Sequence, residues 1–183
     1  MTLWAALLRG INVGGHNKIP MAELRAALTD AGFDDVATYI ASGNVVLRAD
    51  RCEPERVSAI IAERFGLDIA VVVRSAEQVG AVIEANPFPD LAGTEPKFVH
   101  CYFTSTPVPD TALDGFDHDR YGPDRVAVAA GELVVAYPDG VARSKLTTAV
   151  LDRVAGGPTT GRNWNTVLKL ESMLAAAGGP GGS

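Results

Sequence analysis

The chain has few of the residues that hold metals, bridge strands covalently or cross membranes. Only two cysteines occur among 183 residues, Cys52 and Cys101, and the three histidines are scattered, so no His/Cys/Asp cluster has metal-ligand spacing. A disulfide framework and a structural metal are therefore not expected, and reduced thiols in a cytoplasmic protein are. No apolar run approaches the length of a bilayer span, so no membrane association is expected. The opening Met1–Leu8 is apolar but lacks a basic leader region, and Arg9 interrupts it early; it reads as a first strand and not as a signal peptide. No nucleophile elbow or pair of carboxylates in catalytic array is visible, and the Rossmann glycine pattern is missing. The stretch Asp117–Gly122 shares its acidic start with a calcium loop but has neither the later ligands nor the terminal glutamate.

Against these absences stands an ordinary globular composition, 47% hydrophobic and 21% charged, with a net charge of −6. Such a charge argues against a general nucleic-acid coat. The charge is uneven, however: residues 51–139 carry 7 Lys/Arg against 15 Asp/Glu, whereas residues 140–183 carry 5 against 2. A local anion site can sit on a protein that is acidic overall.

Periodicity gives the organisation. Residues 3–8 are apolar on both faces and read as a buried strand. Pro20 suits a first helical position, Met21, Leu24, Leu28 and Ala31 share a helical face, and Gly32 ends that helix. Val36–Ile40 and Val45–Leu47 read as strands joined by the turn Ser42-Gly43-Asn44. Pro54 opens a second helix that Gly66 stops, and Ile69–Val73 is a further strand. The order through residue 74 is β-α-β-β-α-β, the ferredoxin-like arrangement of an antiparallel sheet with helices on one face. Ser75–Gln78 is a capping box opening a third helix. Beyond it come a strand over Lys97–Thr104, loops with room for one short helix over 107–125, a hairpin of Arg125–Ala129 and Leu133–Tyr137 across Gly131, a short helix near 144–154, a loop rich in Gly and Thr, and a last helix over about 163–176. The expected fold class is thus α+β: a ferredoxin-like N-terminal half (1–74) followed by a looser α/β C-terminal half (75–176), with a disordered tail over 177–183.

Two segments concentrate polar donors. Between the first strand and first helix runs Leu8-Arg9-Gly10-Ile11-Asn12-Val13-Gly14-Gly15-His16-Asn17-Lys18-Ile19-Pro20. Its glycines allow tight turning or close approach, and backbone amides beside fixed cations suit an anion. Gly10 and Gly15 have phosphate-loop spacing, but His16-Asn17 stand where the motif demands Lys and Ser/Thr, which rejects a Walker-type triphosphate site. The second segment is Thr159-Thr160-Gly161-Arg162-Asn163-Trp164-Asn165-Thr166-Val167-Leu168-Lys169-Leu170, where Thr159, Thr160 or Asn163 is placed to cap the last helix. Arg162, Asn165, Thr166 and Lys169 are spaced to share one face of that helix. Each segment also has a purely structural reading, the glycines for close packing and the polar face as solvated surface. Arg143-Ser144-Lys145 is a third, smaller basic cluster, read first as an exposed helix start.

Leu7–Gly15 with Lys18-Ile19-Pro20-Met21, then Thr38-Tyr39-Ile40-Ala41-Ser42-Gly43-Asn44-Val45, then Arg162–Leu170, together resemble the bacterial domain-of-unknown-function 1697 family, over residues 3 to about 176. Two departures are His16, where a basic residue is expected, and Gly161, which interrupts the threonine–arginine run. The resemblance implies a compact α+β fold with ferredoxin-like halves, and it implies no established activity.

The leading expectation is a small cytoplasmic protein that binds an anionic, phosphate-bearing or nucleotide-like ligand. Arg9, Lys18, Arg162 and Lys169 would supply charge; Asn12, Asn44, Asn163 and Asn165 would orient the ligand, with Gly14, Gly15 and Ser42 beside them. The glycine loop and the start of the last helix are then expected to meet. A nucleic-acid-binding sheet face is the second reading, disfavoured because Val45, Val46 and Leu47 occupy a strand where base-stacking aromatics would be needed. Acid–base chemistry by His16 or Lys18 is a third, and a purely structural role for the motifs a fourth. No cofactor and no metal are expected; whether the protein is an enzyme, and its oligomeric state, are left open by the sequence.

Overall fold

The computed structural model describes residues 1–176, so the segment expected to be disordered, 177–183, lies outside the described residues. The described chain is α+β, with two antiparallel four-stranded sheets and six α-helices. It divides into two compact units. One comprises Met1–Val79 together with the chain from Leu170, and the other comprises Gly80–Lys169.

In the first unit, β1 (Thr2–Leu8), α1 (Met21–Asp30), β2 (Asp34–Tyr39), β3 (Asn44–Ala49), α2 (Pro54–Phe65) and β4 (Val71–Ser75) follow one another. The sheet order is β2-β3-β1-β4, every neighbour antiparallel, with Ala6 opposite Val45 on one side and Val73 on the other. Period-two alternation puts Ala6 and Leu8 on the face covered by Leu24 and Leu28 of α1 and Val57 and Ile61 of α2. Each fully buried leucine or isoleucine contributes roughly 1.5–3 kcal/mol there. Leu3, Ala5 and Leu7, pointing to the opposite face, are buried too, as the two-sided apolar run requires. Pro54 occupies the first turn of α2, and Gly66 closes it in the left-handed conformation at φ 66°. After α1, Gly32 turns the chain at φ 90°. α3 (Ala76–Glu84) begins with the expected capping box: Ser75 N donates to Gln78 Oε1 at 2.9 Å, and Gln78 N donates to Ser75 Oγ at 3.2 Å.

The second unit holds α4 (Pro89–Thr94), β5 (Val99–Thr104), β6 (Arg125–Ala129), β7 (Glu132–Ala136), α5 (Thr148–Ala155) and β8 (Thr159–Asn163), with sheet order β6-β7-β5-β8. One face of this sheet carries Tyr102, Val126, Leu133, Val135 and Tyr137, packed with Val108, Leu146 and Leu151 of α5. The final helix, α6 (Trp164–Ala176), runs from this unit into the first.

Two expectations need correction, and one element is new. Thr159–Asn163 is a strand and not a loop: it pairs with β5, Gly161 opposite Tyr102 and Arg162 opposite Cys101. The open edge of β5 supplies the partner that local propensity does not reveal. α4 falls in a stretch to which the sequence assigned no element, and the helix expected near 144–154 starts later, at Thr148.

Candidate functional site

The glycine loop of the first unit is built from backbone conformations that few residues adopt. Gly10, Gly14 and Gly15 have φ of 65°, 57° and 78°, and Asn12 and Asn17 join them at 54° and 50°. Asparagine is the residue that best tolerates this region after glycine. Within the loop, Asn12 N donates to Asn17 O at 3.1 Å and His16 N to Val13 O at 2.9 Å, so residues 13–16 form a narrow exposed hairpin. Ile11 and Ile19, each 1% exposed, anchor its two ends in the core.

The asparagine at the base holds this shape. Asn12 Nδ2 donates to Ile19 O at 3.0 Å and to Ala41 O at 2.7 Å, while its Oδ1 accepts from Ile19 N at 2.8 Å. One carboxamide thus closes the loop and ties it to the turn between β2 and β3. Asn17 Nδ2 donates to Gly10 O at 3.0 Å. In the neighbouring turn, Leu8 N donates to Gly43 O at 2.9 Å, and a Cβ on Gly43 would lie 2.8 Å from both Leu8 Cβ and Ile11 Cδ1. Gly43 (φ 91°) is therefore what lets the turn sit against the loop. Asn44 is fully buried, and its Nδ2 donates to Tyr39 O at 2.9 Å and Ser42 Oγ at 3.0 Å.

These contacts leave an open cavity of about 490 Å³ lined by Asn12, Gly15, Lys18, Ile19, Pro20, Met21 and Ala41. Lys18 and Gly15 are exposed at its edge, and the rest of the wall is largely apolar. Three predicted residues, Asn12, Gly15 and Lys18, are brought together here. Gly14 lies next to them in the hairpin, and the half-buried Arg9 stands at the end of β1, where its backbone N donates to Ala70 O at 2.9 Å. Met21 and Ala41 were not among the residues expected at the site. Ala41 lines the cavity with its carbonyl bound by Asn12, a contact across 29 residues.

The remaining predicted residues lie in the second unit. Arg162 is on β8, not on the helix, so the expected shared face loses its first member. It is 7% exposed, Nη1 donates to Gly161 O at 2.8 Å, and burial pushes its guanidinium down to about 10, still cationic at neutral pH. Asn163 Oδ1 accepts from Thr166 N at 3.0 Å and caps α6, one of the caps the sequence offered. Thr159 instead bonds to α5, its N and Oγ1 both donating to Asp152 Oδ1 at 2.8 Å. Asn165 and Lys169 are exposed on α6, whereas Thr166 between them is buried.

Among the described residues, no three His, Cys, Asp or Glu side chains gather as a metal site, and no helix is long and apolar enough to cross a membrane. Cys52 and Cys101 are both free and buried, and burial raises the Cys52 thiol to about 11, with Arg56 pulling the other way.

The family model described as "Protein of unknown function (DUF1697)" matches residues 1–133. A solved structure of a conserved bacterial protein from Streptococcus pneumoniae is similar at a TM-score of 0.67 and 25% identity, covering 94% of this chain and 98% of that one. Among curated proteins, none matches the chain.

Proposed function

Since the chain belongs to the DUF1697 family, whose description names no activity, its function has to come from geometry, and we propose that the glycine loop binds a small anionic ligand, phosphate-bearing or nucleotide-like. The observation that carries this reading is the cavity beside the loop, with Lys18 and Gly15 at the rim and Ile19, Pro20, Met21 and Ala41 forming an apolar wall. A lysine ammonium suits a phosphate oxygen, and the apolar wall suits a base or a similar planar group. The loop is preorganised, because Asn12 and Asn17 fix its backbone before any ligand arrives. Asn12 therefore acts by holding the site, and Lys18 by meeting the ligand. We read the first unit as the ferredoxin-like arrangement, supported by its βαββαβ order and its central antiparallel β1 and β3. A bacterial cytoplasm is the proposed setting, supported by the two free thiols and the bacterial source of the similar structure.

Calorimetric titration of the full chain with adenosine monophosphate, against inorganic phosphate alone, tests the reading. Saturable nucleotide binding is expected, weaker for phosphate alone, and Lys18→Ala should weaken it about fivefold to tenfold without changing stability. Asn12→Ala should lower stability by about 2–3 kcal/mol, since one carboxamide makes three hydrogen bonds. Absence of saturable binding, or binding indifferent to Lys18→Ala, refutes the proposal.

A further inference from the structure

A different concentration of charge lies in the second unit. A cavity of about 480 Å³ is lined by Arg120, Tyr121, Asp124, Asp139, Arg143, Ser144 and Lys145, among others. A smaller one of about 220 Å³ is lined by Arg120, Tyr121, Lys145, Val150 and Arg153. Arg120, Tyr121 and Lys145 belong to both, so the two hollows adjoin. Arg120, Arg143, Lys145 and Arg153 are all exposed, and among the described residues none of them is within ion-pair distance of a carboxylate. They are half of the 8 basic side chains in a unit that carries 11 acidic ones. Four like charges on adjoining walls repel one another, and a bound anion relieves that cost.

The hollow is also braced. Asp124, 5% exposed, accepts from Ser144 Oγ at 2.5 Å, and Ser144 Oγ accepts from Leu146 N at 2.9 Å. This clamp fastens the Arg143–Lys145 segment to the start of β6 and engages the buried carboxylate, leaving Asp139 as the exposed acid of the lining. Arg125 Nη1 donates to the Gly122 and Asp124 carbonyl oxygens at 2.7 and 2.8 Å and fixes the strand's entry. Tyr121 is held by stacking on Phe116, ring centroids 5.3 Å apart and planes 8° from parallel.

We propose that these adjoining hollows form a second anion site, for a small molecule carrying two or more linked phosphate groups. Arg143 lines only the larger hollow and Arg153 only the smaller, so a single phosphate meets part of the set while a diphosphate reaches across Arg120 and Lys145 into both. The acidic excess of the rest of the unit disfavours a long polyanion and favours one contained within the hollows. None of these residues belongs to the glycine-loop site, so this inference stands independently of that one.

Titration of the full chain with inorganic pyrophosphate and with inorganic phosphate at low ionic strength tests it. Pyrophosphate should bind saturably and about tenfold more tightly than phosphate, and Arg120→Gln and Lys145→Gln should each weaken it about fivefold or more. Both substituted side chains are exposed, so circular dichroism should be unchanged. Lys18→Ala should leave pyrophosphate binding intact, which separates this site from the glycine loop. Absent pyrophosphate binding, equal affinity for the two anions, or indifference to both substitutions overturns the proposal. Tighter binding of a single-stranded oligonucleotide through Arg120 and Lys145 overturns it in favour of a nucleic-acid partner.

Discussion

His100 lies on β5 with its Nδ1 buried and without a hydrogen-bond partner. It is flanked by the rings of Tyr102 and Tyr137, whose hydroxyls are 2.7 Å apart. Across the sheet it faces Val135 and Asn163, so no carboxylate in those strands stands opposite to stabilise an imidazolium. Burial lowers its pKa from 6.5 to about 4. Unfolded chains therefore take up a proton at higher pH than folded ones, and stability rises with pH through this window. The contribution is fully present above about pH 6.5 and is lost as pH falls toward 4, by up to about 3 kcal/mol. Thermal denaturation at pH 7 and pH 4.5 should show a smaller loss for His100→Gln than for the unsubstituted chain; equal losses would show that His100 is not the group responsible. Burial raises the Tyr102 and Tyr137 hydroxyls as well, so the pair stays protonated and hydrogen-bonded throughout that range.

At the scale of the element, Gly161 shows why β8 escaped the sequence. Read alone, Thr-Thr-Gly-Arg-Asn has a glycine in its middle and lacks apolar alternation, so nothing local marks a strand. In the fold the glycine is required, since a Cβ there would lie 2.7 Å from Tyr102 Cε1. The Tyr102 ring cannot swing aside without breaking its hydroxyl contact with Tyr137, which in turn donates to Leu146 O at 3.1 Å. Gly161→Ala should therefore cost about 1–3 kcal/mol in chemical denaturation. Gly80→Ala, in the interior of α3 with open space around it, should stabilise by up to about 1 kcal/mol. The same sign for both substitutions would contradict this account. The first unit was more legible because its signals are local: a two-sided apolar run for β1, Pro54 and Gly66 bounding α2, and the capping box at Ser75. Tertiary contacts set what was missed, as when Asn12 draws Ala41 to the glycine loop. Lys18 and Gly15 were readable as candidates because they sit inside the motif, and both line the cavity. Arg120 was not, because only the fold brings it to Arg143 and Lys145.

For the molecule as a whole, charge separates the two proposed sites more sharply than size does, since the glycine-loop cavity and the larger of the two second-unit hollows are nearly equal in volume. The glycine-loop cavity has one lysine in its lining and a mostly apolar wall, whereas the second-unit hollows have four exposed cations. A net charge of −6 opposes both anions from a distance, so attraction at each site must be local. Exposed charges are screened over about 8 Å at physiological ionic strength, and screening weakens binding in proportion to the number of charges engaged. Raising salt from about 0.05 M to 0.5 M, which shortens the screening length several-fold, should therefore weaken pyrophosphate binding much more than adenosine monophosphate binding. Apolar contact is not screened and is strengthened by excluded salts such as sulfate. Parallel salt titrations on the full chain read this directly. Equal slopes for the two ligands would mean that one set of cations serves both, and the assignment of Lys18 to one ligand and Arg120 with Lys145 to the other would fail.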